Sequence, residues 1–263
     1  DLDPSALPEI IVMATRPDLR LDVLKHFPHA KGIILEKPLS RNIIEREKIL
    51  DFFKKSKVKI NINFNRRFDN ALLKIIKKFG TTVGKIQTGT IIYGNGLKNN
   101  GIHFIDQIRM ILGEVCSVQA LNKIKKNKFS NIEDDIDVKF VLNFKNGIQI
   151  YVSPIDFSYY REQCIDLWGS KGRIEFMQEG LCFRISKINK HRALENSNEL
   201  SSDYSDTIPS QIGTSYYNLY DDLINSIIKQ KNTSSPLKNA KINEEIIDGI
   251  IKSSHKKNEV VYL

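Results

Sequence analysis

The sequence predicts an α/β protein in which a partial parallel sheet is followed by an α+β region with a large, mostly antiparallel sheet. Three observations predict it. Short apolar runs alternate with segments of helical period up to residue 64, sequential strands separated by tight turns fill the middle of the chain, and two amphipathic segments lie near its end. No internal repeat is visible.

The first run, "EIIVMAT" (Glu9 to Thr15), is short and rich in branched residues. After "RPD", the segment "LRLDVLKHF" carries Leu19, Val23, Leu24 and Phe27 at helical spacing. "KGIILEKP" (Lys31 to Pro38) repeats the strand signal. Ser40 then stands as an expected helix N-cap before "RNIIEREKILDFFKKS", whose early Glu45 and Glu47 suit the helix dipole. "KVKININF" (Lys57 to Phe64) alternates as a third strand. The order β-α-β-α-β with short connections is that of a doubly wound parallel sheet, and it has the texture of half a nucleotide-binding domain.

Beyond Phe64 the texture changes. "ALLKIIKKFG" (Ala71 to Gly80) and "GIHFIDQIRMILG" (Gly101 to Gly113) are expected helices closed by glycine, with "GKIQTGTIIYG" a strand between them. The strands "VCSVQALNKI", "DIDVKFVLNF", "GIQIYVSPID", "EQCIDLWGS" and "GRIEFMQEG" follow, "KNG" (Lys145 to Gly147) making a hairpin turn between two of them. His191 to Ser210 is polar, lacks a period, and is expected to be a long loop. "YYNLYDDLINSIIKQ" and "INEEIIDGIIKSSHK" are closing helices, and "EVVYL" a last strand.

Composition narrows the classes. The 263 residues are 41% hydrophobic and 27% charged, enough for a sizeable core, and no run approaches a membrane span. The opening "DLDPSALPEI" has neither a basic nor an apolar leader segment, so a cytoplasmic chain is expected. Cys116, Cys164 and Cys182 are far apart and lack CxxC spacing, which favours reduced, mostly buried thiols and no metal site. The net charge of +9 suits anionic ligands, but the lysines are scattered and not interleaved with aromatics, so no nucleic-acid interface is expected.

Several residues carry possible chemistry. Lys37 sits at the end of an apolar strand, where a lowered pKa would let it take a proton or a cationic form would steady an alkoxide. By itself a Glu-Lys-Pro tripeptide is an ordinary strand end. His103 and Asp106 lie three apart on one helical face, and Gly101 before them allows backbone to approach a ligand. Arg66 and Arg67 follow the third strand, at the edge where open parallel sheets bind ligands, and a guanidinium grips carboxylate or phosphate in bidentate fashion. Tyr93 ends a strand and could contact a sugar, while Trp168 and Arg173 read as core and strand-end residues.

Taken in order, "VMATRPDLRLDVL", "EKPLS", "NFNRRFD", "GLKNNGIHFIDQIRMILGE" and "LWGSKGRIEF" resemble the Gfo/Idh/MocA family of nicotinamide-dependent oxidoreductases over about Glu9 to Leu263. Each piece alone is weak; the ordered set is specific. The resemblance implies a partial Rossmann-like sheet in residues 1–64, a substrate-binding and oligomerisation domain in 65–263, and a homodimer or homotetramer formed through the antiparallel sheet. It implies NAD or NADP held by Ala14, Thr15, Arg16, Glu36, Lys37, Pro38 and Asn65. Substrate would meet Arg66, Arg67, Tyr93, Asn99, Asn100 and His103, with Lys37, His103 and Asn99 catalytic. The family pattern G-x-x-x-D-x-G-x-H has Asn99 where Asp is usual, and Asn cannot accept a proton, so Asn99 can only orient a hydroxyl. No GxGxxG occurs, and the chain is expected to be truncated ahead of Asp1. The implied function is hydride transfer to or from a secondary hydroxyl of a sugar or sugar nucleotide, surface-polysaccharide synthesis included. The missing dinucleotide turn also admits a non-catalytic ligand-binding or regulatory protein of the same fold.

Overall fold

Branched residues make strands of the runs at 10–13, 32–35 and 59–62 because their stiff side chains pack on a pleated surface, and intervening residues of helical period cross between them. The computed structural model describes residues 8–54 and 56–263; the opening "DLDPSAL", where no leader is expected, lies outside the described residues. In chain order the first elements are β1 (Ile10–Met13), α1 (Arg20–Lys25), β2 (Gly32–Leu35), α2 (Ile43–Lys54), β3 (Lys59–Ile62), α3 (Asn70–Lys77), α4 (Phe79–Thr82), β4 (Ile86–Tyr93) and α5 (Ile102–Leu112). Then come β5 (Val115–Ala120), β6 (Lys125–Lys126), β7 (Ile136–Asp137), β8 (Phe140–Phe144), β9 (Gln149–Pro154), β10 (Cys164–Gly169) and β11 (Gly172–Met177). The chain continues through β12 (Cys182–Lys190), β13 (Asn198–Pro209), α6 (Ser215–Ile228), α7 (Leu237–His255) and β14 (Val261–Tyr262). The expected α/β class, with a small parallel and a large, mostly antiparallel sheet, is the one observed.

Two compact units result: residues 1–68 with 214–244, and residues 69–213 with 245–263. The expected division at 64/65 therefore needs a correction, because α6 belongs with the first unit. Its apolar side explains why. Leu219 and Leu223, both fully buried, pack on Ile34 of β2 and on Phe68, with Ile10 and Ile227 at the margin. Gly32 makes that approach possible, since a Cβ there would sit 2.7 Å from Ile227 Cδ1. The three strands of the first unit run parallel in the order β1-β2-β3, with Ile10 opposite Gly32 and Gly32 opposite Lys59. β2, having a neighbour on each side, is buried throughout.

Ser40 does not cap α2. The helix starts at Ile43, and Asn42 Oδ1 accepts the Glu45 amide at 3.0 Å, while Glu45 reaches back to the Arg41 amide at 2.6 Å. Ser40 is taken up elsewhere, as described below.

The second unit is built on a nine-stranded sheet in the order β13-β12-β11-β10-β4-β9-β8-β5-β14, antiparallel except for β4 beside β9. Along β10 to β12 one face is buried, through Ile165, Leu167, Ile174, Phe176, Phe183 and Ile185, and Phe176 meets Phe183 edge-on at 5.1 Å. The opposite face carries Asp166, Arg173, Glu175 and Arg184 in register. Arg173 Nη2 lies 2.6 Å from Asp166 and Arg184 Nη2 2.6 Å from Glu175, so Glu175 stays below the usual carboxylate range beside Arg184. Trp168 belongs to this open face and not to the core, with the Arg173 guanidinium 4.8 Å over its ring.

Two further expectations change. Residues 198–209, expected as loop, form the edge strand β13 paired with β12. An edge strand has one ladder to satisfy and little to bury, so its polar residues leave no period to read. Gly80 lies within α4 and does not close α3, whose start is fixed by Asp69 Oδ1 accepting the Ala71 amide at 2.8 Å. Gly113 at φ 92 does end α5. The three cysteines are free and half-buried, less covered than expected.

Candidate active site

Parallel strands end on one edge, so the residues after β1, β2 and β3 meet there. The Glu36 amide donates to Met13 O at 3.1 Å, the Asn63 amide to Leu35 O at 2.8 Å, and Asn63 Nδ2 to Glu36 Oε1 at 2.5 Å. These contacts stitch the three ends together and leave Lys37 half-buried at the next position, before a cis Lys37–Pro38 peptide.

The turn that bears Lys37 is held from two sides. Arg20, 1% exposed on α1, donates from Nη1 to Pro38 O at 2.5 Å and Leu39 O at 2.9 Å, and from Nη2 to Thr15 O at 3.3 Å. Burial lowers its pKa to about 10, against the pull of Glu244, Glu36 and Glu45, so it stays charged at neutral pH. Glu244 of α7 receives the Ser40 amide at 3.0 Å on Oε1 and the Ser40 hydroxyl at 2.6 Å on Oε2, with Arg46 Nη1 3.8 Å away. Burial pushes the Glu244 carboxyl above its ordinary range.

Of the expected cofactor residues, Ala14 is exposed and Thr15, Glu36, Pro38 and Asn65 are half-buried along this edge. Arg16 is mostly exposed and bound to Asp18 at 3.1 Å. Thr15 Oγ1, Asn63 Oδ1 and Asn65 Oδ1 are buried without a hydrogen-bond partner among the described residues. Buried polar atoms left unpaired at a sheet edge are what a polar ligand would satisfy. These oxygens, two of them pure acceptors, fit a polar group with N–H donors such as the carboxamide of a nicotinamide. Arg66 and Arg67 lie half-buried in the short 3-10 turn Asn65–Phe68.

In the second unit the chain leaves β4, reverses through Asn95 at φ 58 and Gly96 at φ 85, and enters a π-helical turn, Leu97–Gly101, that runs into α5. Asn99, Asn100 and His103 are half-buried on this turn and on the first turn of α5. Asp135, 1% exposed, organises it: Oδ1 accepts the Lys98 amide at 2.8 Å, and Oδ2 the Asn99 amide at 3.0 Å and Ser130 Oγ at 2.7 Å. A Cβ at Gly96 would lie 2.0 Å from Asp135 Oδ2, so only glycine fits. Asp137 beside it is pushed upward in pKa, first by desolvation, while Asn127 Nδ2 donates to it at 2.7 Å.

Two readings are corrected here. Tyr93 is fully buried, and its hydroxyl donates to Val138 O at 3.0 Å and accepts the Val138 amide at 3.1 Å, which occupies it inside the core and withdraws the expected sugar contact. Gly101 gives room not to a ligand but to Leu97, whose Cδ1 would be 2.7 Å from a Cβ. Asp106 is buried while His103 is only partly so, which separates the two in environment.

Arg20, Glu244 and Asp135 escaped the sequence reading. Two of them left a signal: a charged residue on the apolar side of a helical period, Arg20 in "LRLDVL" and Glu244 in "INEEII". Asp135 was hidden within an acidic run, "EDDID".

A parallel α/β unit with a polar carboxyl edge, in one chain with a large open sheet, is a fold this chain shares with a solved oxidoreductase from Agrobacterium radiobacter in complex with NAD+, L-tartaric acid and magnesium. It superposes with a TM-score of 0.72 at 16% identity, covering 99% of this chain and 83% of the other. Residues 92–263 match the family model described as "Oxidoreductase family, C-terminal alpha/beta domain", and the chain belongs to the Gfo/Idh/MocA family. Among curated proteins it is similar to inositol 2-dehydrogenase of Rhizobium meliloti, 27% identical over 63% of this chain and 56% of the relative. Myo-inositol 2-dehydrogenase of Thermotoga maritima is 31% identical over 55% of this chain and 48% of the relative. The chain spans about half the length of these relatives.

Proposed function

We propose that this chain is part of an NAD- or NADP-dependent dehydrogenase that oxidises a secondary hydroxyl of a cyclic polyol or sugar, or runs the reverse reduction. The observation that carries this is the Glu36-Lys37-Pro38 turn, fixed at the carboxyl edge of a parallel sheet that also carries Thr15 Oγ1, Asn63 Oδ1 and Asn65 Oδ1, unpaired among the described residues. Similarity to the two inositol dehydrogenases supports it.

Ala14, Thr15, Glu36, Lys37, Pro38 and Asn65 would hold the nicotinamide end, and a bound nicotinamide supplies the two-electron acceptor or donor. As the carbinol hydrogen leaves with its electron pair, the hydroxyl must lose its proton, and Lys37 Nζ takes it. The family resemblance also gives His103 a catalytic role, Asn99 the orienting of a hydroxyl by hydrogen bonds, and Asn100, Arg66 and Arg67 contacts to substrate. A sugar nucleotide of surface-polysaccharide synthesis is the finer reading, favoured by the two arginines, whose guanidinium groups suit a diphosphate. A cytoplasmic location belongs to the same reading, supported by three free thiols. Among the described residues no helix is long and apolar enough to cross a membrane.

The test is oxidation of myo-inositol and of a panel of sugars and UDP-sugars by the full-length protein, read as NADH or NADPH formation. Lys37→Met should abolish turnover and leave NADH binding intact. Full activity in Lys37→Met would sink the assignment.

A further inference from the structure

We propose that Arg20 is a positioning residue for Lys37, its guanidinium fixing the two peptide units that follow the lysine and thereby its aim. The inference rests on the reading of Lys37 as the proton-handling group. Arg20 is 1% exposed, yet no carboxylate lies within ion-pair distance of it among the described residues, and its Nε has no hydrogen-bond partner there. Burying a cation with no carboxylate in contact is costly, and Glu244, Glu36 and Glu45 act on it only from a distance. What the charge does is specific. It spends its strong donors on Pro38 O, Leu39 O and Thr15 O, joining the loop after β1 to the turn after β2.

The opposite flank of the same turn is pinned by complementary chemistry. Where Arg20 takes two successive carbonyls, Glu244 takes the next amide and the Ser40 hydroxyl. Residues 38–40 thus have backbone acceptors tied to a cation and a backbone donor tied to a carboxyl group, each from a different helix. A turn held in both senses cannot rotate about either flank, and the residue at its head inherits that rigidity. Catalytic groups need such support, since a misplacement of about 1 Å costs on the order of 100-fold in rate.

The experiment compares parent, Lys37→Met, Arg20→Ala and Arg20→Lys in the full-length protein with myo-inositol and NAD+. For Arg20→Ala we expect kcat to fall about 100-fold, the Kd for NADH to change little, and rate to return when guanidinium ion is added to fill the vacated site. Arg20→Lys should recover only part of the loss, because a single ammonium nitrogen lacks the planar fork that reaches Pro38 O and Leu39 O from one nitrogen and Thr15 O from another. A folded Arg20→Ala or Arg20→Lys with the parental kcat overturns the inference, provided Lys37→Met is inactive; an active Lys37→Met overturns the functional reading first. If the parent does not turn over myo-inositol, amide hydrogen exchange decides. Faster exchange at Ser40 in Arg20→Lys, with the sheet amides of β2 unchanged, supports the role, and parental exchange at Ser40 overturns it.

Discussion

Tyr93 illustrates how a side chain of suitable chemistry at the right strand end can be committed to the interior. Its hydroxyl closes both polar groups of Val138, so Tyr93→Phe should cost about 1–3 kcal/mol through two unpaired backbone groups and leave KM for substrate unchanged. Urea unfolding and steady-state kinetics on one preparation check both halves. Glu244 carries a different prediction. Because burial raises its carboxyl above the ordinary range, the folded chain holds that proton to a higher pH than the unfolded chain does. Its contribution is therefore full at acid pH, below the ordinary carboxylate pKa, and is lost as pH rises through the raised one. Glu244→Gln should flatten this part of a Tm-against-pH curve; an unchanged slope would count against the assignment.

At the scale of elements, the strands and crossovers up to Phe64 were legible because each unit repeats a simple period and is closed by its own turn. α6 was legible as a helix and not as to its place, since its partner residues Ile34 and Phe68 lie more than 140 positions earlier. Leu219→Ala, which empties a fully buried contact with β2, should destabilise by about 2–5 kcal/mol in chemical denaturation. Candidate residues could be named from the sequence where one residue carries the signal, as with Lys37 and His103. They could not be named where a buried charge serves a turn, because a single arginine or aspartate looks the same in solvent and in a clamp. The Leu97–Gly101 turn shows the dependence. Gly96→Ala should drive a methyl into Asp135, release the Lys98 and Asn99 amides, and lower kcat more than it raises the Kd for cofactor, as measured by turnover and by nicotinamide fluorescence.

For the whole molecule, the open face of the nine-stranded sheet is where we place self-association, as the resemblance implies. Half-exposed Tyr151 and the Asp166, Arg173, Glu175 and Arg184 lattice share that face. Tyr151→Glu should shift the mass seen by light scattering from dimer or tetramer toward monomer, and a monomeric parent would remove the proposal. The same sheet has a consequence for how the chain is made. β4, at its centre, is synthesised first among its strands, yet its two neighbours are β9 and β10, which lie some sixty and seventy residues downstream. On a ribosome it must emerge, wait with both edges bare while α5 and the β5–β8 portion follow, and only then be flanked. The slow step of folding should thus be the insertion of β4 between late partners, and the nascent chain is most in need of a chaperone during that interval.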